Sequence, residues 1–371
     1  MSKNGNKKKR VGAIIGMIIA IIVLLGIAAL LFVQGRMSKI SRDTNVVTDA
    51  VAPSQQTFEV DENAGPDTIK PEEIKWTKPT ATPTPAVEEK QETTTAKARG
   101  VKNLLLIGQD ARMGEGRQRS DTMVIASINA DTGKITMCSL MRDMYVPIPG
   151  YADNRINAAY VFGGMPLLDQ VIDEDFGVHI DGNIEVDLDG FLNSMEAIGP
   201  LEIELNEEEA AYLNENPALG NNIDNVPTQN WDLTPGLNSL TPQQALAYSR
   251  IRGVGHADYE RTERQRRVLT AAFNKLVDSD VKVLLNLSGS LLPNFTTDLS
   301  QTELLDYVSM IKENGITLNN ESYRIPVDGT YSSESVRGMS VLVPDLQANS
   351  ELLHEYLYSS NAGAAVTAPA A

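Results

Sequence analysis

The run from Val11 to Val33 contains no charged residue, and it constrains the chain more than any other feature. At 1.5 Å per residue, a helix over these positions is roughly 34 Å long, enough for a bilayer core of about 30 Å. A cleaved signal peptide carries a shorter apolar core, about 7–15 residues, so an uncleaved transmembrane anchor over 11–33 is expected. Lys3, Lys7, Lys8, Lys9 and Arg10 precede it, while Arg36, Lys39 and Arg42 follow. That imbalance places residues 1–10 in the cytoplasm and everything beyond the cytoplasmic membrane's anchor outside the cell.

Residues 34–100 lack apolar periodicity and are dominated by Pro, Thr, Glu and Lys, with Lys78-Pro79-Thr80-Ala81-Thr82-Pro83-Thr84-Pro85 the stiffest portion. Such a composition buries too little surface to offset ordering entropy, so a disordered extracellular stalk is expected. Residues 361–371 read as a similar tail.

From Val101 the pattern becomes globular. Asn103–Ile107 is a short apolar run ending at Gly108, and Thr122–Asn129 and Lys134–Leu140 read as strands joined by Asp131-Thr132-Gly133. Pro166 has the look of a first-turn helix proline. Asp187 and Gly199-Pro200 bracket another helix, and Leu201–Leu205 alternates strictly, the mark of a half-exposed strand. The polar stretch 206–235 reads as a surface excursion. Thr241-Pro242-Gln243-Gln244 has the form of a capping box, and a further helix begins near Asp258–Thr262. Strands and helices mix throughout 101–360 with no linker, which predicts one layered α/β/α domain around a mixed central sheet. The lone Cys138 sits in a strand-like context and reads as a buried small hydrophobe, and the three His residues share no metal-ligand spacing.

The charge pattern singles out Tyr248–Arg267. Arg250, Arg252, Arg261, Arg264, Arg266 and Arg267 fall within this stretch of a chain whose net charge is -17. The acidic balance argues against nucleic acid as a partner. One reading is a solvated basic face laced to Asp258, Glu260 and Glu263. The other is an anion site: Arg250 and Arg252 lie two apart after a helix, while Arg261, Arg264 and Gln265 share a face at the next helix start, where free amides favour phosphate. Arg266 and Arg267 fall off that face and read as solvated.

Upstream, Asp110 and Asp121 fall at the ends of neighbouring strands, near Arg142. Two carboxylates beside arginines suit a magnesium ion, with manganese as a substitute, completed by a pyrophosphate; the alternative is loop solvation or pairing to arginine. Gly108–Gly116 lacks the Lys-Ser/Thr of a P-loop, and no Ser-His-Asp or Cys-His set stands out.

Six motifs in this order resemble the LytR-CpsA-Psr proteins of bacterial cell-wall assembly. They are Leu106-Ile107-Gly108-Gln109-Asp110-Ala111-Arg112, Arg119-Ser120-Asp121-Thr122, Met141-Arg142-Asp143, Arg155-Ile156-Asn157-Ala158-Ala159-Tyr160, Tyr248-Ser249-Arg250-Ile251-Arg252, and Asp258-Tyr259-Glu260-Arg261-Thr262-Glu263-Arg264-Gln265. The family often has Pro at the position of Met141 and Lys at that of Arg155. The resemblance implies a phosphotransferase of a Gram-positive-type cell surface. It would move a glycopolymer phosphate from a polyprenyl-pyrophosphate carrier to peptidoglycan, typically the muramic acid 6-hydroxyl. It further implies Asp110 and Asp121 as metal ligands and Arg119, Arg142, Arg250, Arg252, Arg261 and Gln265 around the phosphates. Arg112, Arg155 and Arg264 would help to bind substrate. No general base stands out, with Asp143 only a guess. A receptor that binds the same lipid without turnover would use the same arginines. A membrane-bound transcriptional regulator would need a nucleic-acid module that residues 1–10 do not supply.

Overall fold

The computed structural model describes residues 41–42, 50–61, 65–77, 79, 100–109, 117–220, 231–255, 258–277, 292–314, 316–319, 321 and 323–358. The anchor run 11–33, Asp110, Arg112 and the tail 361–371 lie outside them. Among the described residues, no helix is long and apolar enough to cross a membrane.

In chain order, leaving aside two-residue strands and single 3₁₀ turns, the elements are β1 (Val101–Gln109), β2 (Ser120–Asn129), β3 (Lys134–Leu140), α1 (Asn157–Phe176), β4 (Gly182–Val186), α2 (Leu188–Ile198), β5 (Leu201–Leu205) and α3 (Glu207–Glu215). They continue as β6 (Gly236–Leu240), α4 (Pro242–Arg250), α5 (Asp258–Val277), α6 (Gln301–Asn314), β7 (Tyr323–Ile325), β8 (Tyr331–Val336), β9 (Met339–Pro344) and α7 (Leu346–Tyr358). The chain gathers into two compact units. One gathers residues 43–111, 115–183 and 323–371, and the other 184–322 with 1–42 and 112–114.

The first unit is built on a mixed sheet. β1 pairs antiparallel with β2, β2 antiparallel with β3, and β7 parallel with β3. Leu105, Ile107, Val124, Ile125 and Ile128 are buried, so the apolar runs that predicted these strands are the core itself. Asn129 Oδ1 accepts from the amides of Asp131 and Thr132, closing the predicted hairpin turn. Cys138 is buried, as expected of a small hydrophobe. Helices α1 and α7 pack on the sheet and on each other. Within α1, Gly164 breaks the helical conformation at φ 67°, and Pro166 starts the second stretch. Glycine suits position 164 because its φ of 67° with ψ -156° is a backbone conformation that residues with a Cβ rarely adopt.

The expected disorder of 34–100 does not hold for 50–61 and 65–77, which form a strap laid over the first unit. Val51 N donates to Phe162 O at 2.8 Å, and Gln56 brackets Ala152 with bonds of 2.8 and 2.9 Å. Asp61 N donates to Gly338 O, and Ser335 N to Thr68 Oγ1. Phe58, Ile69, Ile74 and Trp76 pack against Tyr145, Val336, Met339 and Val341, and Trp76 Nε1 donates to Asp153. The strap is ordered because its few apolar residues meet the β8–β9 hairpin, an edge with no other cover in its own sequence neighbourhood.

The second unit carries the β5–β6 hairpin and helices α2–α6. Burial along β5 alternates, with Leu201, Ile203 and Leu205 inside. The excursion expected over 206–235 contains α3, opened by an Asn206–Glu209 capping box. The predicted box at Thr241 is present: Gln244 N donates to Thr241 Oγ1 and Thr241 N to Gln244 Oε1. α5 packs on β5 and α4.

Candidate active site

In the first unit, the β2–β3 ladder leads into the site: its last pair is Val124 opposite Ser139, and just past that end the two chains still lie close enough for Asp121 and Arg142 to meet. Arg142 Nη1 donates to Asp121 Oδ1 at 2.7 Å. A register irregularity at Gly108/Gln109 ends the β1–β2 ladder beside Ser120; such irregularities re-aim neighbouring side chains. The short ribbon that pairs Tyr145 with Arg155 returns the chain to the same place. Arg155 Nε lies 3.4 Å from Asp143 Oδ1, and Arg142 Nε 3.5 Å from Asp143 Oδ2. Asp143 is thus bracketed by two guanidinium groups.

Arg119, just ahead of β2, completes the cluster. Burial pushes its guanidinium below its ordinary pKa. Glu59 and Asp121 oppose that shift, while Arg155 and Arg142 add to it. Its Nη1 is buried without a hydrogen-bonding partner among the described residues. An orphaned, charged donor is costly inside a protein. It is therefore the feature of this unit that most clearly calls for an anion.

Two members were not foreseen. Glu59 Oε2 lies 3.4 Å from Arg119 Nε and 3.5 Å from Arg155 Nη1, and Asp61 accepts from Arg155 Nη2 at 2.5 Å. Arg155 Nη2 also donates to Ser340 O at 2.7 Å. Burial raises the Asp61 pKa, but the Ser340 amide and the Arg155 guanidinium outweigh it and hold the carboxyl below its ordinary value. Both residues come from the strap, where sequence gave no signal.

For magnesium, Asp121 offers hard carboxylate oxygens, and Asp110 lies outside the described residues. Among the described residues no three His, Cys, Asp or Glu side chains cluster as a metal cage. A donor set of this kind fits an ion whose shell is completed by substrate phosphates.

The second unit holds the other arginines. Arg250 ends α4 and donates to Leu219 O at 3.3 Å, Arg252 is exposed, Arg261 is buried, and Gln265 is half-buried on α5. Arg264, read as a substrate-binding helper, has another task. Its Nε donates to Glu209 Oε1 at 2.8 Å, and its two Nη atoms donate to Ile251 O and Val254 O at 3.3 Å. The side chain is 2% exposed and Glu209 3%, so the pair is closed to water. Arg264 instead fixes the turn between α4 and α5, and with it the backbone beside Arg250 and Arg252. Gly253 belongs to that turn: a Cβ there would lie 2.2 Å from the Tyr212 ring. Arg266 and Arg267 are not the solvated pair expected. Arg266 is buried, and Arg267 lies 3.5 Å from Glu209, 5.5 Å over the Tyr248 ring, and donates to Glu204 O.

Comparison with known proteins supports the motif pattern. A protein of Oceanobacillus iheyensis called polyisoprenyl-teichoic acid–peptidoglycan teichoic acid transferase TagU is 32% identical over 244 residues, covering 62% of this chain and 69% of its own. A structure of TagT bound to LI-WTA aligns with TM-score 0.54 at 22% identity, over 72% of this chain and 95% of that one. B. subtilis TagV aligns with TM-score 0.54 at 19% identity, over 70% of this chain and 98% of its own. At such identities the structural likeness speaks to the fold. The LytR_cpsA_psr family pattern spans residues 72–356, beginning inside the strap, and the chain belongs to the LytR-CpsA-Psr family.

Proposed function

We propose that this chain transfers a glycopolymer phosphate from a polyprenyl-pyrophosphate carrier to the muramic acid 6-hydroxyl of peptidoglycan, outside a membrane that residues 11–33 anchor. The observation that carries the reading is the buried Arg119 Nη1, without a partner among the described residues, in one cluster with Arg142, Arg155 and Asp121. The transferase name of the relative in Oceanobacillus iheyensis supports the reaction class.

In the reaction the acceptor hydroxyl oxygen bonds to the phosphorus that bears the glycopolymer, and the bond from that phosphorus to the bridging oxygen breaks. Polyprenyl phosphate leaves, and the hydroxyl proton passes to a base. Arg119 and Arg155 would bind the phosphoryl oxygens and offset the charge that builds on them. Arg142 would hold Asp121 in place, and Asp121 with Asp110 would hold magnesium, which neutralises phosphate charge when bound. Arg250, Arg252, Arg261 and Gln265 are assigned to the phosphates on the motif resemblance, as is Arg112.

The test is a purified full chain in detergent, given a lipid-pyrophosphate glycan, peptidoglycan oligomers and magnesium. A covalent phosphodiester product, lost in Asp121→Ala and Arg119→Ala while the fold persists, is expected. Lipid binding without product would instead indicate a receptor.

A further inference from the structure

The strap places a carboxylate where a phosphate is expected. Glu59 Oε2 approaches Arg119 Nε at 3.4 Å and Arg155 Nη1 at 3.5 Å. Neither distance is that of a tight charge-assisted bond, about 2.7–2.9 Å. The Glu59 side chain is 52% exposed, so it can swing into water at little cost. Its neighbour Asp61 behaves differently. It accepts from Arg155 Nη2 at 2.5 Å and from the Ser340 amide at 2.6 Å, both close bonds. The strap is pinned on either side of the pair by Gln56 on Ala152, Asn154 Nδ2 on Thr57 O, and Asp61 N on Gly338 O. The placement of Glu59 is therefore set by the backbone, while its contact with the arginines is loose.

We propose that Glu59 is a displaceable counter-ion: it neutralises Arg119 and Arg155 in the resting protein and yields them to the diphosphate of the substrate. This rests on the phosphate role given to Arg119 and Arg155 above. Two guanidinium groups held close without an anion repel each other, and Arg119 is already destabilised by burial and by Arg155. Asp61 and Asp143 already pair with Arg155, and the loosely held Glu59 is the carboxylate that reaches both Arg155 and Arg119 to relieve that repulsion. A diphosphate carries more charge and more acceptor oxygens, including one for the orphaned Arg119 Nη1, so it replaces Glu59. Asp61 stays in place and keeps Arg155 aimed through the exchange. The strap thus adds a competitor to the site, and binding of substrate works against it.

Removing a competitor tightens binding, an effect that a merely structural residue would not produce. The assay is calorimetric titration of the full chain in detergent with geranylgeranyl diphosphate and magnesium, for wild type, Glu59→Gln, Glu59→Ala and Arg119→Ala. A half-exposed ion pair is worth about 0.2–1 kcal/mol, which converts to roughly 1.4- to 5-fold in affinity. Glu59→Gln and Glu59→Ala are expected to bind tighter by about that factor, with unfolding midpoints unchanged. Unchanged affinity in both variants overturns the counter-ion role. Weaker binding overturns it too, and would make Glu59 a ligand of the metal or the substrate. If Arg119→Ala binds as tightly as wild type, the phosphate role of Arg119 fails first, whatever the Glu59 variants do.

Discussion

Replacing Glu209 by Gln tests the buried polar centre of the second unit. Glu209 Oε1 lies 2.8 Å from Arg264 Nε and 3.5 Å from Arg267 Nη1, and it accepts from the Tyr248 hydroxyl at 3.3 Å. With both partners of the main pair at 3% exposure or less, water cannot take over. Glu209→Gln keeps the shape but leaves Arg264 buried and charged, with Arg267 nearby. Removing one partner of a buried pair costs about 3–5 kcal/mol, and the upper part of that range applies here. Arg264→Met is milder, about 2–3 kcal/mol, because Glu209 keeps Arg267 and the Tyr248 hydroxyl. The double replacement Glu209→Leu/Arg264→Met should cost clearly less than the two singles together, since the deeply buried Arg264 charge is removed along with its partner and only the more exposed Arg267 loses a contact. Urea unfolding followed by circular dichroism gives all three values from midpoint and slope. Single costs below about 1 kcal/mol, or strict additivity in the cycle, would refute the reasoning.

Two further outcomes follow from ionisation. The Asp61 carboxyl is held below its ordinary value of 3.8, so its contribution to strap docking is complete above 3.8 and is lost as pH falls through the lower folded value. Trp76 emission, in a Trp231→Phe background, should report strap release in that acid range, and Asp61→Asn should abolish the pH dependence; a flat signal would contradict it. Burial pushes the Tyr145 and Tyr358 hydroxyls up to about 12, so their ionisation leaves the fold untouched below the ordinary value of 10.0 and destabilises it as pH rises through about 12. Tyr145→Phe should flatten that alkaline loss and cost nothing near neutrality, because the Tyr145 hydroxyl has no hydrogen-bonding partner among the described residues; equal alkaline loss in the variant would contradict it.

What was legible in the sequence was what local pattern encodes. The apolar runs and the Asp131-Thr132-Gly133 turn set the β2–β3 register, and Asp121 and Arg142 meet just beyond the end of that ladder. Pro166 and the Thr241 capping box marked helix starts correctly. What escaped was non-local. Phe58, Ile69, Ile74 and Trp76 have no common period, because they pack in one cluster with Tyr145 and with a hairpin far away in sequence, and composition therefore read them as stalk. Helical spacing put Arg264 on a face with Arg261 and Gln265, but spacing cannot say what a face meets. Its partner Glu209 lies 55 residues upstream, in a stretch whose helix was itself missed. Glu59 and Asp61 were invisible for the same reason: their significance depends on where the strap docks.

The reaction is tested most directly by the fate of phosphorus. A lipid-linked glycan labelled with ³²P at the phosphorus next to the sugar, given to the full chain with peptidoglycan oligomers and magnesium, should leave its label covalently in the peptidoglycan fraction. Arg119→Ala should leave it on the lipid. Label that stays on the lipid with the wild-type chain, while the lipid still binds, would contradict the transferase reading.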